Sequence, residues 1–256
     1  MKNTPIALQM YSLREESEND FIGTLKKVSN MGYDGIEFAG YGGLAADVLK
    51  KELDELGLKA ASSHVPLTTL EQEQELEEII SYQHVLGCKN IVCPYLPPER
   101  RTKEDYYNLL LILNKIGKRC FEEGINFSYH NHDFELIQLD NGRIPLELLL
   151  EETNPKWVQT EFDVYWLTKA GENPVEWIER YHNRTPLIHL KDMTTDGEQF
   201  FAELGTGGVD IDGVLAQGSK SNVEWWVIEQ DQSRRTPLES VKISLDYLKK
   251  KFSTKS

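Results

Sequence analysis

The chain has 256 residues, enough to bury a sizeable core without disulfides. Its composition is that of an ordinary globular protein, and a net charge of −14 argues against a polyanionic partner such as nucleic acid. No apolar run approaches the roughly 18–20 residues of a membrane helix, and the opening MKNTPIALQM lacks the apolar stretch of a secretory leader.

Short apolar or β-branched runs alternate with helix-like segments from end to end. The run Ile6–Met10 precedes the amphipathic stretch Phe21–Met31, and Gly35–Phe38 precedes Ala45–Leu56. Lys59–His64 precedes Leu70–Leu86, and Asn90–Pro94 precedes the long helix Lys103–Glu123. Asn126–His130 leads into Pro145–Glu152, and Trp157–Asp163 into Pro174–Tyr181. Pro186–Leu190 precedes a short helix at Asp210–Gly218, and Glu224–Glu229 precedes Pro237–Phe252. Gly32, Gly57, Gly87 and Gly124 stand where helices should end, and Pro145, Pro174 and Pro237 where helices should begin.

Eight strands, each followed by a helix, imply a parallel sheet, and this count and size predict a (β/α)8 TIM barrel as a single domain over residues 1–256. A doubly wound sheet is the alternative, but no GxGxxG follows the first strand and there is no Walker A sequence. The GTGG at Gly205–Gly208 lacks the Lys-Ser/Thr tail and reads as a turn. The basic runs Arg100–Arg101, Arg234–Arg235 and Lys249–Lys251 are scattered and read as solvated faces. Three cysteines, Cys88, Cys93 and Cys120, without CxxC spacing, suggest reduced thiols in a cytoplasmic protein. Cys93 reads as a buried small hydrophobe rather than a nucleophile.

Barrel closure has a chemical consequence. His130, Asp163, His189 and Glu229 lie near the ends of the fifth to eighth strands, so their side chains converge at one barrel mouth. Two imidazoles and two carboxylates at one point suit a divalent metal. Asp163 in FDVYW and Glu229 after WWVI sit in apolar contexts, where a bare carboxylate is costly unless paired or bound to a cation. Taken singly, a strand-end histidine or aspartate is more often a capping or surface group than a ligand, and His189 also reads as a satisfied core imidazole. Gln9, Glu37 and His64 close the first three strands, and Lys191 shares the face of His189. Lys191 is suited either to a substrate oxygen or to a salt bridge with Asp192 or Glu203. Tyr11, Trp166 and Glu203 are loop residues that either wall a site or pack between loops.

The segments LQMYSLR, GIEF, SYHNHDFE, FDVYW, HLKDM and ELGTGGVD together resemble the sugar phosphate isomerase/epimerase family, with its xylose isomerase-like barrel. The resemblance covers nearly the whole chain and implies one divalent ion, manganese first, with zinc, cobalt or magnesium also used. The family's ligands are Glu, Asp, His and Glu on strands five to eight; Asp163, His189 and Glu229 match the last three. His130 stands where a glutamate is usual, which breaks the family's two-glutamate proton shuttle while keeping a good ligand.

The resemblance implies proton abstraction next to a carbonyl, through a metal-stabilised enediolate, on a sugar or polyol ketone. Glu229 is the expected base, His132 or Glu135 the second acid/base group, and Lys191 the stabiliser of the enediolate. Gln9, Glu37, His64, His132, Glu135, Trp166, Lys191 and Glu203 are the expected substrate contacts. Isomerisation or epimerisation is the expected outcome. A lyase or dehydratase acting on an inosose or 3-keto sugar is the runner-up, ahead of an endonuclease IV-like nuclease and a non-catalytic sugar binder. The expected partner is a small sugar or polyol, with no nucleic acid and no membrane. Pairing into a homodimer is compatible with the sequence.

Overall fold

In the computed structural model, which describes residues 4–253, eight parallel strands close into a barrel surrounded by helices. The first seven strands in the chain are β1 (Ile6–Gln9), β2 (Gly35–Phe38), β3 (Lys59–His64), β4 (Asn90–Cys93), β5 (Asn126–His130), β6 (Val158–Asp163) and β7 (Leu187–Leu190). A small antiparallel hairpin follows, β8 (Asp192–Met193) with β9 (Phe201–Ala202). The last strand, β10 (Trp225–Ile228), pairs with β7 on one side and β1 on the other, and so closes the ring.

All eight expected barrel strands form, within a residue or so of their expected ends. The helices Phe21–Met31 and Pro145–Glu152 form as read. The stretch expected as one helix over Leu70–Leu86 is two, Leu67–Leu70 and Glu73–Leu86. Gln72 between them takes an extended conformation, φ −87° and ψ 113°, which breaks the helical run. Gly57 and Gly87 end their helices at φ +67° and +70°, where a side chain is disfavoured. Among elements the sequence did not announce, the helix Val164–Lys169 matters most, because the carboxylate of Asp163 caps it.

Two packing layers hold the barrel. Outside, Leu25, Val28, Leu49, Leu53, Val214 and Leu245 belong to a cluster packed between helices and strands; each such fully buried aliphatic contributes about 1.5–3 kcal/mol. Inside, one end of the barrel is filled by Ala7, Ala61 and Val227, with Trp225 against them. Gly35 leaves room there, since a Cβ on it would lie 2.8 Å from the Trp225 ring. The opposite interior is polar: Gln9, Glu37, Ser62, His130, Glu161, Asp163 and His189 are all buried. The register places Asp163 beside His189, His130 beside Glu161, and Gln9 beside Glu37. The carboxyl ends of the strands therefore carry the charge, and the amino ends carry the apolar plug.

Candidate metal centre and cavity

His130, Asp163, His189 and Glu229 each present one donor atom, and all four donors lie within 4.8 Å of one another. Asp163 divides its carboxylate between two tasks. Oδ1 accepts from the amides of Tyr165 and Trp166 at 3.0 and 3.1 Å, so it caps the following helix. Oδ2 faces His130 Nε2 at 3.3 Å and Lys191 Nζ at 3.0 Å. Glu229 Oε2 lies 2.9 Å from His189 Nδ1 and 2.6 Å from Lys191 Nζ.

The ring nitrogens show why a cation fits. His130 Nδ1 lies 3.2 Å from the carbonyl of Pro94, which can only accept, so this nitrogen carries a hydrogen. With Nδ1 so occupied, Nε2 is turned toward Asp163. His189 is held in the opposite sense: Nε2 lies 2.5 Å from Glu37 and 3.2 Å from Glu161, while Nδ1 faces Glu229 and Asp163. Nε2 therefore donates to carboxylates, and Nδ1 is the inward donor. Two imidazole lone pairs and two carboxylates turned together need a proton or a metal ion between them. A histidine whose outer nitrogen donates to a carboxylate is the usual arrangement around a ligated ion.

Beneath this group lies a second one, formed by Glu37, His64, Glu161 and the shared His189. His64 Nε2 lies 3.0 Å from Glu37 and 2.7 Å from Glu161. Gln9 donates to Glu37 at 2.7 Å, and Ser62 donates to its other oxygen. Burial opposes ionisation of Glu37, but His64 and His189 outweigh it and hold the carboxyl well below its usual range. Burial likewise disfavours charge on His64, yet Glu37 and Glu161 carry it up to about 10. Asp163 resists the same burial through Lys191 and its histidine neighbours and stays near about 2.

The upper group opens on a cavity of about 710 Å³ at the barrel mouth. Of the residues expected to contact substrate, His64, His132 and Lys191 line it. Gln9 and Glu37 lie below, fully buried, and engage the deeper group instead. Glu135 is turned away: its oxygens accept from the Tyr129 hydroxyl and the His132 amide, both at 2.7 Å. Trp166 packs on His132 and Phe201 and is not part of the cavity lining. Glu203 faces a different pocket, where it accepts from Ser240 and approaches Arg235. Lys191 makes neither of the salt bridges considered for it, pairing with Asp163, Glu229 and Asp231. Asp192 instead pins the glycine loop, accepting from Gly205, Gly207 and Val209. Cys93 is fully buried, which pushes its thiol up to about 12.

Two contributors were missed from the sequence, Asp231 and Glu161. Asp231 bonds Lys191 at 2.8 Å and lines the cavity, and Tyr11, left as either wall or packing, also lines it. Glu161 belongs to the deeper group, and its Oε1 is buried without a partner. It stands two residues before Asp163, so strand alternation alone put both on the inner face.

The description of a xylose isomerase-like TIM barrel matches residues 25–251. The chain is 28% identical to an inosose dehydratase of Clostridium botulinum, over 92% of this chain and 91% of that one. A solved sugar phosphate isomerase/epimerase from Parabacteroides distasonis superposes with a TM-score of 0.83 at 27% identity, covering 97% of this chain and 98% of the other. An AP endonuclease of family 2 from Brucella melitensis has a TM-score of 0.73 at 13% identity, covering 95% and 99%, and shares the fold alone. Among the described residues no helix is long and apolar enough to cross a membrane. With a closed eight-stranded barrel, a buried His/Asp/Glu cluster at its carboxyl end and a match across most of its length, the chain belongs to the xylose isomerase-like TIM barrel family.

Proposed function

We propose that the protein removes a proton next to the carbonyl of a sugar or polyol ketone, with the help of one divalent ion, manganese first among the candidates. The observation that carries this reading is the contact of Glu229 with Lys191, 2.6 Å apart at the cavity floor beside three further donor groups. A bound ion would be held by His130, Asp163, His189 and Glu229 and would polarise the ketone oxygen as a Lewis acid. Glu229 takes the proton from the neighbouring carbon. The C–H electron pair passes into an enediolate, and the Lys191 ammonium faces the developing negative charge. Glu37 and Glu161 hold Nε2 of His189, which leaves Nδ1 turned toward Glu229 and Asp163, where it would ligate an ion.

Loss of water is the outcome this site favours. Base and ammonium stand together on one wall, so hydrogen and hydroxyl leave from the same face of the substrate. The enediolate pair then forms the C=C bond as the β-hydroxyl departs, taking a proton from Lys191. The similarity to an inosose dehydratase supports the same outcome. His130, in the place of a second carboxylate, has Nδ1 tied to the Pro94 carbonyl and carries no proton across the site.

Epimerisation or isomerisation is the second reading, and His132 is the observation in its favour. Its ring lines the cavity and Nδ1 is buried without a partner. Burial first, then neighbouring positive charge, holds its pKa well below the usual range, which keeps the ring neutral with one nitrogen lone pair available. Incubating the manganese-loaded protein with hydroxy-ketones in D2O separates the outcomes. NMR should show loss of water for a dehydratase and deuterium on carbon without loss for an epimerase. Neither signal with any inosose or keto-sugar would overturn both.

A further inference from the structure

The cavity is electrically one-sided. Among the described residues, Lys191 is the only lysine or arginine lining it, and its ammonium is already shared among Asp163, Glu229 and Asp231. Two guanidinium groups come near but stand behind aromatic rings. Arg14 lies 4.5 Å from the Tyr11 ring centroid and donates to the Tyr11 and Asp231 carbonyls. Arg101 lies 5.0 Å from the Tyr95 centroid and 3.3 Å from that of Phe134, and donates to the Leu96 carbonyl. Neither guanidinium lines the cavity. Away from the proposed ion, a phosphate on the far end of the substrate would meet no unshared lysine or arginine among the described lining residues, losing hydration without compensation.

The cavity wall supplied by the segments after β2 and β3 is largely apolar. Val65 and Pro66 follow β3 directly, Ile79 projects from the helix Glu73–Leu86, and Tyr41 completes the surface. This wall is pre-formed: the Tyr41 ring stacks on Tyr82 at 4.2 Å, and its hydroxyl accepts from Gln83 at 2.7 Å. One sugar ring held at Glu229 does not fill about 710 Å³, a volume in the range of pockets that enclose larger organic ligands.

We propose that the substrate is an uncharged sugar ketone bearing an apolar or aromatic substituent, its ketone end at Glu229 and Lys191 and its substituent against Tyr41, Val65, Pro66 and Ile79. This rests on the proton-abstraction reading for the ketone end. The substituent gains affinity by leaving water, about 10- to 100-fold for a ring the size of phenyl.

Three ligands sharing one sugar ketone test it: the free ketone, its phosphate ester and its phenyl glycoside. Each is titrated calorimetrically into the manganese-loaded protein, and turnover is followed separately by NMR. The phenyl glycoside should bind about 10- to 100-fold more tightly than the free ketone, and the phosphate ester no more tightly than the free ketone. Ile79→Asp should bring the Kd ratio of phenyl glycoside to free ketone close to one, and Ile79→Ala, a milder truncation, should lower the advantage part of the way. A tighter phosphate ester, equal binding of phenyl and free ketones, or Kd ratios untouched in both variants would overturn the proposal. Tight phenyl binding without deuterium exchange or water loss would defeat the reaction assigned above and leave the ligand class standing. Exchange on the free ketone with no phenyl advantage would do the reverse.

Discussion

Lys191, Glu229 and Asp231 on one wall of the mouth cavity are bound to one another and to the histidines below, whereas Tyr41, Val65, Pro66 and Ile79 on another offer surface and little polarity. The polar wall is expensive to build, because each buried charge must find a partner. Every charge there is met by another within about 3 Å or by a donor group of the proposed ion site. The apolar wall needs only shape and exclusion of water. On the proposed reading, chemistry falls to β5, β6, β7 and β10, and recognition to the segments that follow β2 and β3. A barrel allows this division, since its strands fix charges rigidly while its loops vary.

Damage to the polar wall should give the largest effects. Asp163→Ala removes a proposed ligand oxygen and a helix cap together. Metal analysis should find no bound manganese, and turnover should fall below detection; a fully active variant would reject the site. Glu161→Gln changes the support of His189 while leaving the proposed ligand set intact. Metal titration should show affinity about 10- to 100-fold weaker. An unchanged Kd would remove Glu161 from the account.

A third change tests the buried carboxyl of Glu135, beside Tyr129 and His132. Burial raises the Glu135 carboxyl to about 7, despite hydrogen bonds from Tyr129 and His132 that favour its ionised form. The folded protein therefore holds this proton more tightly than the unfolded chain does. The resulting stabilisation is fully present below about pH 4.5 and is lost as pH rises through about 7, on the order of 3 kcal/mol in all. Glu135→Gln, whose amide donates to the Tyr129 oxygen, should flatten denaturation midpoints across that window; an unchanged slope would show that Glu135 does not titrate there. The smallest effect is expected from His130→Glu, which substitutes one ligand type for another. The variant should retain manganese within about tenfold of the parent affinity, a difference of about 1.4 kcal/mol. Loss of the metal would count against His130 as a ligand.

The polar wall was more legible than the apolar one. His130, Asp163, His189 and Glu229 each follow or end an apolar run, so strand ends located them before any geometry was known. Asp163 and Glu161 differ by two residues, yet only the first stood out, because its neighbours FDVYW are apolar and those of Glu161 read as strand. Glu135 and Glu203 stood in loops near the barrel mouth, but a loop side chain is directed by its local bonds: Tyr129 and the His132 amide hold one, Ser240 the other. The apolar wall left little trace. Tyr41, Pro66 and Ile79 come from separate loops and a helix, with no shared period to connect them.

The amino-acid sequence by itself determined the alternation of eight strands and eight helices, the turns that separate them and the strand ends that bear imidazole and carboxylate. These are local properties, written in hydrophobic period, in glycine and proline, and in residue type. Tertiary structure alone decided which nitrogen of His130 and His189 faces inward, that Lys191 lies among three carboxylates, and that His64 and Glu161 meet beneath the site. Those outcomes follow from barrel closure, which sets side chains far apart in the chain at hydrogen-bond distance, where the charge of each depends on all the others.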